Sequence, residues 1–479
     1  MQTQKTTNMQ GNKEALKIAN LQIKNKAYQE KNRYLSGKIR DITKSRVMWR
    51  NRFKAVEIET KALKKELNTV KKSIDLSVKA AHHSYPIAII FIALSIRQVS
   101  GLGWRKCCDI LALIYEILGV DLSVPCANTL SNWQSKYGLC ELQKDVESGD
   151  KVLILDESVR VGQNKVLLLQ GVDLAQYEFE QSLCSNDTIV LSINIQKSWK
   201  GEQIGQVIKD LSVKQDIVYA VCDGGNNLIK GLKDNNIDRV YDITHAIGAI
   251  VKNSYSKTEA FLSFSKEITK FKQKVVMGKN AIFMPPTQRP KARFLNISAV
   301  VKWADKTLSL LETAHLNEEQ KQKLLWLKTH KHLITELKEV DKLTRSIFAI
   351  LKPNGLSNET VKQCKEKIKD NKAPDDFKEK IKQYFVDHQP LIDKHNKLIC
   401  CSDIIESTFG KFKNRVAHNK MSSMAGACLE ICSYGVTLDA KTIRFAMEKN
   451  TNEQVTTWKD NNSGDNLLKN RTRLYKKVA

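Results

Sequence analysis

Three carboxylates occupy positions where a charge needs a reason. Asp156 follows four apolar residues in KVLILDES (151–158), and a buried strand seldom carries a charge there without a partner or a metal. Asp223 closes another apolar run, DIVYAVCDGG (216–225), and Gly224 and Gly225 after it let backbone or ligand approach closely. Glu406 lies far downstream in CCSDIIESTFGKFKNRVAHNK (400–420), a helical pattern that continues into Lys411, Lys413 and Arg415. If the first and fourth strands are neighbours, the two aspartates come within metal-bridging distance, and a glutamate on a crossing helix completes the set. Three carboxylates holding two divalent cations about 3.5–4 Å apart suit phosphodiester chemistry, one metal activating a water or 3′-hydroxyl and the other stabilising the leaving oxygen. Hard oxygen ligands favour Mg²⁺ or Mn²⁺ over zinc.

Lys413 is two helical turns beyond Glu406 and is expected to face the same phosphate strand, with Lys411 and Arg415 extending that basic surface. Glu157 points to the opposite strand face from Asp156, and Asp173 ends the second strand, so both rank lower. Asp403 precedes Glu406 by three residues and would serve if the helix were rotated.

The elements that must position these groups follow from periodicity. Strand-like runs at 151–158, 164–174, 187–196, 216–225 and 238–245 are joined by helical patterns at 201–214 and 226–236, with Asn226 or Asn227 as the expected cap of the latter. The order is strand-strand-strand-helix-strand-helix-strand, so 150–246 is expected to form a mixed five-stranded sheet with flanking helices. Residues 247–395 are lysine-rich with helical spacing and read as an all-α insertion; 396–447 then returns to the core with the Glu406 helix. Trp303 and Trp326 in the insertion read as helix-packing residues, with base stacking as the lesser alternative. Residues 448–479 read as a polar, basic, flexible tail.

Ahead of the sheet, 86–145 reads as short helices around turns, the last beginning near Ala127, in a helix-turn-helix-like arrangement. Asn128, Ser131, Asn132 and Gln134 are expected on its exposed face, with Leu130 and Trp133 inward; a plain three-helix bundle would look the same. Residues 1–80 form a basic helical segment. Leu35, Ile39, Ile42, Arg46, Trp49, Phe53, Val56, Thr60, Leu63, Leu67, Val70 and Ile74 follow alternating four–three steps, the seam of a coiled coil or of a long helix packed on its own chain.

Composition sets the class of partner. The 479 residues carry 78 Lys plus Arg against 52 Asp plus Glu, a formal charge of +26, which calls for an anionic partner, nucleic acid first. The most apolar window, 85–96, is too short to span a membrane, and the N-terminal residues lack signal-peptide architecture. Eleven scattered cysteines without a CxxC fit a reducing compartment rather than a disulfide framework. A soluble cytoplasmic protein is expected.

On these residues the chain resembles the RNase H-like DDE transposases of bacterial insertion sequences. Besides Asp156, Asp223 and Glu406 in that order, Asp242 and His245 in YDITH match the (Cys/Asp)-x-x-His signature of members with a helical insertion, and Glu406 with Lys413 matches Glu-x(6)-Lys. The likeness covers roughly 150–430. It implies an RNase H-like core interrupted by the insertion, Asp156, Asp223 and Glu406 as catalytic metal ligands, Asp242 and His245 in support, and His245 preferably structural. It further implies Mg²⁺- or Mn²⁺-dependent cleavage at transposon ends and strand transfer into target DNA. A homodimer or higher oligomer, assembled through the coiled coil and associated with the bacterial nucleoid, would hold two ends together. The tyrosine and arginine that often precede the glutamate are absent: Ile399 and Ser402 stand there. Rival readings are a transposase-derived DNA-binding protein that does not cut, an RNase H-like nuclease or resolvase, and a structural coiled-coil protein.

Overall fold

The computed structural model describes residues 76–462 except 147–148, 162–163, 277–278, 288–293, 295–296, 314–315 and 419–423, together with scattered positions from 25 to 61 and residues 471, 474 and 475. The chain divides into two units, Met1–Asp75 and Leu76–Ala479. In the first unit the described residues are helical, and Leu35, Ile42, Trp49, Phe53 and Val56 of the four–three seam are all exposed. Ile39, Leu63, Leu67, Val70 and Ile74 lie outside the described residues.

The second unit is mixed α/β. Its five-stranded sheet contains β1 (Asp150–Val161), β2 (Asn164–Asp173), β3 (Ile189–Gln196), β4 (Asp216–Cys222) and β5 (Arg239–Tyr241) in the order β3-β2-β1-β4-β5. β1–β2 and β2–β3 are antiparallel; β1–β4 and β4–β5 are parallel, the crossovers running through helices between them. Both faces are buried, which is why the strands read as continuous apolar runs rather than alternating ones. Leu153, Leu155, Leu167, Leu169, Ala220 and Cys222 face the helices at 201–212 and 226–233. Val152, Ile154, Val166, Leu168, Tyr219 and Val221 face the larger core, which is continuous with the helical residues of 243–412.

Two boundaries differ from the sequence reading. The fifth strand stops at Tyr241, because Asp242 caps the helix Ile243–Tyr255 by accepting the His245 amide at 2.7 Å. The helix Asn226–Lys233 is capped at Gly225 rather than at an asparagine, the Gly225 amide being taken by the Asp223 side chain at 2.8 Å.

Among the described residues of 243–395 the elements are helices joined by short loops, apart from the two-residue strand Leu356–Ser357, which pairs with Lys397–Leu398. Trp303 and Trp326 pack there as expected, 6.5 Å apart between ring centroids, with the Trp303 indole N–H donating to the Phe283 carbonyl at 3.1 Å.

The helices α1 (Ile87–Ser100), α2 (Trp104–Leu118) and α3 (Ala127–Leu142) form a bundle around Ile89, Ile90, Leu94, Leu111, Leu130, Trp133 and Tyr137. A fourth helix, Ala440–Lys449, contributes Ile443, Ala446 and Met447 to this same core. Gly138 allows α3 to meet the helix Met424–Ile431: a Cβ there would sit 2.0 Å from the Leu429 carbonyl oxygen. Gln134 is buried, not exposed, and donates to the Ser433 hydroxyl at 2.9 Å. The expected flexible tail is in part a helix, Asn452–Asn462. Val455 and Trp458, one turn apart, give it an apolar stripe that packs on Leu139 and Leu429. Among the described residues no helix is long and apolar enough to cross a membrane.

Candidate functional site

Strand register brings the two aspartates together. β1 and β4 pair in parallel with Ile154 opposite Val221, so two residues further on Asp156 comes beside Asp223, where neighbouring strands are about 4.8 Å apart. Both side chains share the face of Ile154 and Val221, since side chains alternate along a strand. The helix Asp403–His418 packs on that face through Ile405, Phe409 and Phe412, each worth about 1.5–3 kcal/mol of burial, and places Glu406 in its first turn. These three acids are therefore drawn from three elements into one neighbourhood, Asp156 from within β1, Asp223 from just past β4 and Glu406 from the first turn of its helix.

Their charges are poorly compensated. Burial pushes the Asp156 carboxyl up to about 7, Asp223 adds to the rise, His245 opposes it, and Glu406 and Glu157 add further. Among the described residues no lysine or arginine forms an ion pair with Asp156. Glu406 is held above the usual carboxylate range, by burial first and against the pull of His245; with 47% of its side chain exposed, this lift is partial.

His245 joins the site to its scaffold. Its Nδ1 lies 3.1 Å from Asp242 Oδ1 and its Nε2 3.3 Å from Glu406 Oε1. The hydrogen bond to Asp242 pushes the imidazole up to about 9 against its own burial, with the Asp242, Glu406 and Asp223 charges assisting. At neutral pH it is an imidazolium, and both ring nitrogens donate. Asp242 is fully buried, and its Oδ2 accepts from the Ser402 amide at 2.6 Å and the Ser402 hydroxyl at 2.9 Å. Burial alone would raise its carboxyl, but the hydrogen bonds from His245 and Ser402 outweigh it and hold it low. The Ile243 amide also donates to the Cys400 carbonyl at 2.9 Å. Asp242, His245 and Ser402 thus fix the entry to the Glu406 helix.

The competing acids are engaged elsewhere. Asp403 pairs with Lys352 and accepts the Thr244 hydroxyl at 3.0 Å; Glu157 pairs with Lys165 at 3.0 Å, and Asp173 with Lys151 at 2.5 Å. Among the described residues one group of three has its ligand atoms within 4.8 Å of one another, and it is Asp242, Cys401 and Asp403, not Asp156, Asp223 and Glu406. That group does not suit a cation. Both Asp242 oxygens and both Asp403 oxygens already accept hydrogen bonds, and burial keeps the Cys401 thiol protonated by raising it far above the ordinary value. The Asp156, Asp223 and Glu406 set offers three hard oxygen donors with excess negative charge, although Asp223 Oδ1 takes the Gly225 amide and Glu406 leans toward His245 in this arrangement.

Of the basic residues, Lys411 and Lys413 are exposed as expected, Lys411 reaching the Ser185 hydroxyl at 3.3 Å. Arg415 is a correction. It is 8% exposed and pairs with Glu430, which also takes the Arg97 guanidinium at 2.7 and 2.8 Å. A helical run of basic residues reads as a surface, and the acid that draws Arg415 inward sits on the next helix. Asn128 and Asn132 are exposed and Ser131 half-buried at the start of α3. Ser402, read only as a substitution for an arginine, is the residue the sequence reading missed; its place next to the Asp403 helix was the available signal.

The chain matches no protein-family model and no curated protein.

Proposed function

We propose that this chain is a DDE-type DNA transposase built on an RNase H-like core, cutting at transposon ends and joining the 3′-hydroxyl to target DNA. The observation that carries this reading is the β1–β4 register, which sets Asp156 beside Asp223 on the face crossed by the Glu406 helix. The sheet order, the helical segment between the second aspartate and the glutamate, and the Asp242–His245 pair support it.

Asp156, Asp223 and Glu406 would hold Mg²⁺ or Mn²⁺. Such ions supply an activated water or 3′-hydroxyl and a stabilised leaving oxygen when bound. The chain's own residues do the rest. His245 restrains the Glu406 carboxylate, Asp242 and Ser402 hold the loop before it, and Lys413 and Lys411 present charge to the incoming phosphate strand. DNA is the partner, and the seam of the N-terminal helix would pair two copies so that two ends are handled together.

A second reading, DNA binding without cleavage, is favoured by the lean of Glu406 toward His245 and away from a compact three-acid cluster. Strand cleavage and joining on the DNA flanking the gene, with Mg²⁺ or Mn²⁺, separates the two. Metal-dependent nicking at discrete ends that Glu406→Gln abolishes supports the transposase; binding by both proteins with cutting by neither supports the second reading.

A further inference from the structure

Between the α1–α2 turn, the start of α3 and the helices 403–418 and 424–431 lies a cleft of about 820 Å³. Its charged lining is Arg97, Arg105, Lys106, Arg415 and Lys459 against a single acid, Glu430. Arg97 and Arg415 share that acid at the back of the cleft, so three buried charges carry a net positive one, and among the described lining residues no second carboxylate balances it. Arg97 also covers the Trp104 ring at 4.6 Å and Arg415 the Tyr434 ring at 4.4 Å, which fixes both as walls rather than mobile arms. Arg105 and Lys106 are exposed at the rim, and Lys106 has only a surface pair with Asp109. Asn128 and Ser131 stand on the opposite lip as neutral hydrogen-bonding groups. The helices starting beside Arg105 and Asn128 have no acid in their first turns, so neither backbone end opposes an anion.

We propose that this cleft seats the sugar–phosphate backbone of duplex DNA, on the same molecule whose scissile phosphate would lie at the carboxylates. The identity of the polyanion rests on the strand-cutting reading; the cleft's preference for phosphate does not. Arg415 and Glu406 are on one helix, nine residues apart, hence about 14 Å along its axis. Nine residues are also about two and a half turns, so Arg415 and the cleft lie on the side of the helix opposite Glu406, and the cleft holds a stretch of backbone separate from the one at the acids. The backbone seated there is held by charge and shape, with Asn128 and Ser131 at the groove edge.

The test is binding of the full chain to a fluorescent DNA duplex in EDTA across a salt series, so that no cleavage is needed. Arg105→Glu with Lys106→Glu is expected to weaken binding at least tenfold and to reduce the slope of log K against log salt by about 2, each lost phosphate contact accounting for ~0.9. Lys367→Glu with Lys369→Glu makes the same charge change on exposed positions of the helix Asn358–Asp370, and is expected to leave the slope nearly unchanged. Equal losses in both variants, an unchanged slope in the first, or no duplex binding by the unaltered chain each overturn the proposal. So does displacement of the duplex by inorganic phosphate at matched ionic strength, which would mark a small-anion site. If the cleft variant behaves as expected while the unaltered chain cuts no DNA with any metal, the cleft stands and the transposase reading falls. If cutting is found and the slope is unchanged, the reverse holds.

Discussion

Glu430 and Asp156 are both acids drawn in from solvent, and they are housed on opposite terms. Glu430 engages two arginines, Arg97 and Arg415, and ties α1 to the helices 403–418 and 424–431. Asp156 has Asp223 beside it and Glu406 nearby, with one imidazolium, His245, as relief. In the first cluster the acid is fully paired, held between two guanidinium groups of its own chain with one positive charge left over, and it can serve as a clamp. The second keeps an excess of negative charge beside the middle of β1 and the end of β4, an arrangement that costs the fold something while it is uncompensated. Buried charge by itself therefore does not mark a site; the sign of the charge left over decides what could be drawn to it, an anion at the arginines and a cation at the acids.

That contrast can be broken from either side. Asp156→Asn, Asp223→Asn or Glu406→Gln should lower metal-dependent nicking by at least ~10³-fold, while the thermal unfolding temperature drops by no more than about 2 °C below that of the unaltered chain. A large loss of stability in all three would make these acids structural and erase the difference. Glu430→Ala should do the opposite, costing about 3–5 kcal/mol in urea unfolding because two guanidinium groups are left buried without a counter-charge. Replacing Arg97, Glu430 and Arg415 together by Met, Leu and Met should cost far less than Glu430→Ala alone; if it costs more, the cluster contributes net stability rather than register.

Asp242→Ala removes a helix cap and both Ser402 hydrogen bonds, and should cost about 2 kcal/mol in the same unfolding measurement. The smallest effect is one of pH. The Asp156 carboxyl goes from 3.8 to about 7 on folding, so the folded chain holds that proton more tightly. Its contribution is present at low pH and is lost as pH rises through about 7. His245, raised from 6.5 to about 9, acts with the same sign in a higher window, its contribution being lost as pH rises through about 9. In EDTA the melting temperature should fall by a few °C across these windows, and Asp156→Asn should flatten only the lower one. A slope that survives Asp156→Asn unchanged would remove the charge-excess account of the site.

How far these features could be read from sequence depends on the range of the interaction that fixes them. The strands were legible because β1, β2 and β4 are buried on both faces, which imposes long apolar runs, and Asp156 and Asp223 stood out against those runs. The face they share follows from alternation, but their adjacency needed the β1–β4 pairing, which a local pattern does not encode. The strand end at Tyr241 was legible in principle, since an Asp three residues before His245 is a cap signal; the apolar Ile243 masked it. Arg415 was misread because its partners are Glu430, on a different helix, and the backbone of Arg97 and Gln98, more than 300 residues away. Gln134 failed for the same reason, its acceptor being Ser433. The helix at 452–462 has only Val455 and Trp458 to show for its packing, too few to lift a polar stretch out of the tail.

The hydrogen bond from Ser402 to Asp242 joins residues 160 positions apart, and it has a consequence in time. A chain made from its N-terminus at about 5–20 residues per second completes the sheet strands on the order of ten seconds or more before Ser402 and Glu406 exist. Until then the cap of the helix 243–255 lacks its Ser402 bonds, and the acids of β1 and β4 have no third member. Closing a loop of that length adds only a logarithmic entropy cost, so the delay is set by synthesis rather than by the search. The newly made strands can pair and pack early, while the three-acid neighbourhood forms late, after the helical segment that precedes Glu406 has been made.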